Sequence, residues 1–144
     1  MNPPPAPILL VEDNPLDLDL TLRAFRRRRL ANPIAIARDG EEAIGYLQRW
    51  DQGEPQPLLI LLDLHLPRRS GLEVLAALKS HPRYDRIPVV VLTTSRDDSD
   101  VERAYDLGAN SYILKPVDFS QFQEVVERIE AYWCVCNLIP PAKP

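Results

Sequence analysis

Four short apolar runs end in residues able to do chemistry together. Ile8-Leu9-Leu10-Val11 runs into Glu12-Asp13, Leu58-Leu59-Ile60-Leu61-Leu62 into Asp63, Val89-Val90-Val91-Leu92 into Thr93, and Tyr112-Ile113-Leu114 into Lys115. Crowded carboxylates repel one another, and a hard divalent cation with oxygen ligands relieves that repulsion. A hydroxyl and an ammonium beside such a cation complete a donor set for a phosphoryl group. One Asp at a strand end is ordinarily a helix cap or a turn residue. Four run ends that each deliver a suitable group favour the chemical reading.

The elements that must carry these groups follow from the runs themselves. Short continuous apolar runs read as strands buried on both faces of a parallel sheet, where ligands bind beyond the carboxyl ends of the strands. A weaker run, Ile34-Ala35-Ile36-Ala37, adds a fifth strand. Asn14 can cap a helix with Pro15 at its first position, and Asp17 and Asp19 suit that first turn. Asp39-Gly40 turns into a helix carrying Ala43, Ile44, Leu47 and Trp50, and Ser70 with Glu73 forms a capping box for the next. Arg96 to Asp100 leads into a helix closed by Gly108. Ser120 with Gln123 is a further capping box, predicting a final helix from about Gln121 to Cys136. Strand and helix alternate five times, which implies a doubly wound parallel sheet with helices on both faces.

Bulk properties bound the function. The chain has 144 residues, net charge −4 and a sequence pI near 5.2, the scale of one domain with one core. That acidity argues against a nucleic-acid partner. Arg26-Arg27-Arg28-Arg29 is the one concentrated basic feature, and it falls at a helix end where cations complement the dipole. No apolar run approaches a membrane span and no signal-peptide pattern opens the chain. Cys134 and Cys136 are too close for a useful disulfide, and reduced thiols in a cytoplasmic protein are the expectation. Fifteen prolines concentrate toward the two ends, so 1–7 and 139–144 are expected as disordered Pro-rich tails around one domain spanning 8–138.

These motifs, in this order, resemble the receiver domains of two-component response regulators. The pieces are Leu10-Val11-Glu12-Asp13-Asn14, Leu61-Leu62-Asp63-Leu64-His65-Leu66-Pro67 with Gly71, Leu92-Thr93-Thr94-Ser95, and Tyr112-Ile113-Leu114-Lys115-Pro116. The intervals from Asp63 to Thr93 and Lys115 (93 − 63 = 30, 115 − 63 = 52) are similar to the family's. The resemblance implies a flavodoxin-like sheet of order 2-1-3-4-5. A closer likeness, in Leu20-Thr21-Leu22-Arg23-Ala24-Phe25, Arg38-Asp39-Gly40-Glu41-Glu42-Ala43 and Lys115-Pro116-Val117-Asp118-Phe119, is to the small single-domain regulators associated with bacterial phytochromes.

By that resemblance Asp63 is the phosphoryl acceptor, fed by a sensor histidine kinase. Glu12, Asp13, Asp63 and the backbone carbonyl of His65 form the Mg²⁺ site. Thr93 and Lys115 hold the phosphoryl group, and Thr93 with Tyr112 forms the switch. The Lys115–Pro116 bond is cis in the family, against about 5–6% of X–Pro bonds at large. Two departures stand out: Glu12 is longer than Asp, and Thr94 occupies a position where a smaller residue is common. The His65 side chain is open to a role as metal ligand or base, though its backbone position accounts for its place. Two other classes compete. A magnesium-dependent aspartyl-phosphate phosphohydrolase wants a second Asp where His65 stands, and a purely structural dimerisation receiver need not keep Asp63, Thr93 and Lys115. On the last helix Phe122, Val125, Val126, Ile129 and Trp133 form one apolar stripe. Tyr132, Val135 and Cys136 lie outside it, which predicts a homodimer through the fourth and fifth strand–helix units.

Overall fold

The apolar runs become strands, and the polar residues that close them stop the ladder. The computed structural model describes residues 5–144. Strands β1 (Ile8–Val11), β2 (Ile34–Ala37), β3 (Leu59–Leu62), β4 (Val89–Thr93) and β5 (Ser111–Leu114) alternate with helices α1 (Pro15–Arg27), α2 (Gly40–Asp51), α3 (Gly71–Lys79), α4 (Asp98–Leu107) and α5 (Phe119–Glu130). The sheet is fully parallel in the order β2-β1-β3-β4-β5, as expected.

Strand side chains alternate between two layers. Leu9, Val11, Ile60, Leu62, Val89 and Val91 face a core shared with α2, α3 and α4, around Trp50, Leu75 and Tyr84. Ile8, Leu10, Leu59, Leu61, Val90 and Leu92 face the other, closed by Phe25 of α1 and by Phe122, Val126 and Ile129 of α5. Burial on both sides explains why these strands read as unbroken apolar runs. Edge strand β2 is only half covered, which is why its run is weaker.

Helix starts follow the expected chemistry in three places. Asn14 Oδ1 accepts from the backbone N–H groups of Leu16 and Asp17, Asp39 accepts from Glu42, and Ser70 Oγ accepts from Glu73. Gly108 closes α4 in the left-handed region, φ 107°. The arginine run ends α1, and Arg28 Nε pairs with the buried Glu130 of α5 at 2.7 Å.

Three expectations need correction. The last helix is capped by Asp118, not Ser120: Asp118 Oδ1 accepts from Gln121 N at 3.1 Å and from the Ser120 hydroxyl. That helix ends at Glu130 and continues as one π-helical segment, Ala131–Cys136, in which Asn137 N reaches back five residues to Tyr132 O. The Lys115–Pro116 bond is trans, as are all peptide bonds among the described residues. Trans is the lower-energy form, and in it Lys115 N already donates to Thr93 O at 2.8 Å. Part of the expected amino-terminal tail, residues 1–4, lies outside the described residues. Residues 139–144 have no regular structure, but Lys143 Nζ pairs with Asp85 at 2.6 Å and donates to Pro82 O, tying that segment to the domain.

Candidate functional site

The register of the sheet brings the predicted residues to one edge. Val11 of β1 is paired with Leu62 of β3, so Glu12 and Asp63 emerge side by side at the carboxyl ends. Thr93 is the last residue of β4 and lies opposite Leu114, so Lys115 emerges one step beyond it. One carboxylate oxygen each from Glu12, Asp13 and Asp63 lies within 4.8 Å of the others. Glu12 and Asp63 are buried, whereas Asp13 is exposed. Close packing behind the site is enforced by Gly71, where a Cβ would stand 2.3 Å from the Asp63 carbonyl oxygen.

Lys115 Nζ sits at the centre of the acids. It donates to Glu12 Oε1 at 2.5 Å, Asp63 Oδ2 at 2.8 Å and Asp17 Oδ2 at 2.9 Å. Only 4% of its side chain is exposed. An ammonium has three N–H donors, and here carboxylates take all three. Asp17, at the start of α1, is a residue that sequence reasoning placed only as a first-turn acid.

The crowding shows in the proton affinities. Burial, followed by the neighbouring Asp63 charge, pushes Glu12 up to about 8 against the opposing pull of Lys115. Burial also works to raise Asp63, but the charge and hydrogen bond of Lys115 outweigh it and hold Asp63 below the usual carboxylate range. Lys115 is buried, which disfavours its charge, yet hydrogen bonds and charges from Asp63 and Glu12 keep its affinity above that of a free lysine. Of the two buried acids, Lys115 favours the charge on Asp63, and burial disfavours it on Glu12. Oxygen donors at this spacing, two buried and one facing solvent, suit a hard divalent cation that keeps part of its water.

The remaining predicted residues are close by. His65 N donates to Asp63 Oδ1 at 3.1 Å, fixing that carboxylate, while the His65 side chain is exposed. Thr93 is fully buried, and its Oγ1 lies 3.5 Å from Ser95 N. Tyr112 is half-buried and donates from its hydroxyl to Ser95 O at 2.9 Å. Thr94 is exposed beside them. Tyr132 and Val135 are exposed, 53% and 69%, on the turn that follows α5.

A five-stranded 2-1-3-4-5 sheet with an acid–lysine cluster at its carboxyl edge defines a class of protein. Residues 8–127 match the family described as "Response regulator receiver domain", and the chain belongs to that family. It is similar to the probable methanogenesis regulatory protein FilR2 of Methanothrix harundinacea, 45% identical over 134 residues, 92% of this chain and 86% of the relative. Response regulator Rcp1 of Synechocystis is 41% identical over 141 residues, 96% of each chain. Among solved structures, the phosphorylated cyanobacterial phytochrome response regulator RcpA superposes with a TM-score of 0.89 at 41% identity, covering 94% of this chain and 99% of that one. The Mn²⁺-bound form of Rcp1 gives 0.89 at 40% identity, with coverages of 95% and 100%. The bacteriophytochrome response regulator AtBRR gives 0.72 at 44% identity, covering 94% and 100%.

Proposed function

We propose that this chain is a response regulator receiver that takes a phosphoryl group onto Asp63 from the phosphohistidine of a sensor histidine kinase. The observation that carries this reading is the buried Lys115 ammonium bonded to Asp63 and Glu12, with Asp13 close enough to share a cation with them. In the step, an Asp63 carboxylate oxygen attacks phosphorus, the phosphorus–nitrogen bond breaks and the imidazole leaves with the electron pair. Asp63 is already ionised and held by His65 N, so it is positioned to attack. Glu12, Asp13, Asp63 and the carbonyl of His65 would hold Mg²⁺, whose contribution is to neutralise charge on the phosphoryl oxygens. Lys115 and the Thr93 hydroxyl hold the oxygens of the transferred group.

The phosphoryl group adds about two negative charges at the sheet edge. Thr93 turns toward it, and Tyr112, tied to the same loop through Ser95, is the side chain free to respond. The chain thus acts by changing its own surface for a protein partner rather than by turning over an external substrate. Similarity to the phytochrome response regulators RcpA and AtBRR supports a phytochrome-type kinase as donor. No helix among the described residues is long and apolar enough to cross a membrane. Exposed Tyr132 and Val135 beyond α5 support a homodimer through the fourth and fifth strand–helix units.

Acetyl phosphate with Mg²⁺ tests the central claim. Acyl-phosphate labelling should appear in the wild type and vanish in Asp63→Asn, with circular dichroism unchanged. Labelling of Asp63→Asn at the wild-type level refutes it.

A further inference from the structure

Lys115 faces a conflict built into the site. Glu12 and Asp63 must serve both the ammonium and a divalent cation, and two cations on the same oxygens repel each other. The ammonium therefore needs a partner outside the group that can hold the metal. Asp17 is that partner: it bonds Lys115 at 2.9 Å and is not among the three acids within metal-binding reach of one another. Its side chain is 22% exposed, so its charge is carried there at lower cost than on the buried pair. The local sequence makes it available. Asn14 already satisfies the free N–H groups of Leu16 and Asp17 at the helix start, which leaves the Asp17 carboxylate free to turn inward. Asp19, two residues on, pairs instead with Arg23 at 2.9 Å.

We propose that Asp17 is a positioning residue for Lys115, and this rests on the divalent-cation reading above. It draws the ammonium toward α1, so that Glu12 and Asp63 can turn to the cation, and it keeps Lys115 within reach of the phosphoryl group. Without it, Lys115 settles more firmly on Glu12 and Asp63 and competes with the metal. Loss of the Asp17 charge also weakens the field that attracts the cation, so both effects have the same sign.

Calorimetric titration of the full chain with MgCl₂ tests this. Asp17 is partly exposed, and removing one unit charge about 6–12 Å from a divalent cation at a water-like dielectric near 80 should raise the Kd of Asp17→Asn roughly three- to tenfold. Asp17→Glu, which keeps the charge and reaches the same ammonium, should restore affinity. Asp19→Asn, the same charge change on the same helix, should leave it nearly unchanged. A purely structural role as a first-turn acid would lower Tm and leave the Kd alone. Should Asp17→Asn not fold, Asp17→Ser, a residue suited to a helix start, is measured in its place. Equal Kd values for wild type and Asp17→Asn overturn the inference, as do equal losses in Asp17→Asn and Asp19→Asn. A wild type that binds no Mg²⁺ overturns the metal reading itself and this inference with it.

Discussion

Replacing Lys115 with Met probes the charge arrangement most directly. The methionine keeps much of the volume but leaves Glu12, Asp17 and Asp63 without the donor that all three share. Removing one partner of a buried ion pair costs about 3–5 kcal/mol, because the other charge stays buried and unpaired. For a domain of this size, with an unfolding entropy of about 2.1 cal/mol/K per residue, that is a fall in Tm of roughly 10–15 °C. The loss should be larger at pH 8.5 than at pH 5, because ionised Glu12 and Asp63 are what the missing ammonium leaves unpaired. The sign with pH separates this from a packing defect. In the wild type, Asp63 has a depressed affinity for protons, so its contribution is present above its unfolded value and is lost on acidification. In Lys115→Met the main pull that favours the charged form of both acids is gone while burial still opposes it, so the deficit shrinks as pH falls toward 5. Mg²⁺ should also recover part of the loss, by RT times the logarithm of the ratio of the wild-type to the variant Kd, because removing the ammonium strengthens the site for a cation. Thermal melts from pH 5 to 8.5, with and without MgCl₂, provide the measurement. A deficit that is constant across that range and indifferent to Mg²⁺ would refute the reasoning.

Two further outcomes are expected. Asp13→Ala should weaken Mg²⁺ binding by calorimetry more than Glu12→Gln does, because Asp13 faces solvent ready to ligate while Glu12 is engaged by Lys115 and favours its proton; equal affinity in Asp13→Ala and wild type would remove Asp13 from the metal set. Sedimentation at micromolar concentration should show twice the monomer mass, halved by Tyr132→Glu with Val135→Glu, and a wild type that stays monomeric with and without a phosphoryl analogue would end the dimer proposal.

Legibility in the sequence followed how local each signal is. β1, β3 and β4 were plain because both faces are buried, and their final polar residues marked the site without any knowledge of pairing. Asn14 and Ser70 are plain because a cap is a contact over two or three residues. The cap of α5 was misplaced because Asp118 and Ser120 both qualify, and the carboxylate takes the N–H while the hydroxyl bonds to the carboxylate. The π-helical segment after Glu130 has no residue pattern that separates it from continued α-helix. Asp17 reads in sequence as a first-turn acid because its partner lies 98 residues away. The tie from Lys143 to Asp85, 58 residues apart, was hidden for the same reason.

Ser95 shows how a local event at Asp63 could travel. Its backbone N–H points to Thr93 Oγ1 at a long 3.5 Å, its carbonyl accepts from the Tyr112 hydroxyl at 2.9 Å, and its own hydroxyl donates to Asp100 in the first turn of α4 at 2.5 Å. Three groups of one residue therefore meet β4, β5 and α4. The contact to Thr93 is the weakest by distance, so under the proposed phosphorylation it is the one that yields when the Thr93 hydroxyl turns to donate to a phosphoryl oxygen. Moving Thr93 then changes what holds Ser95, and through it both the Tyr112 ring and the start of α4. A buried threonine with a single long contact is thus better suited to reporting charge at Asp63 than one locked by several short bonds, because little must break before it moves.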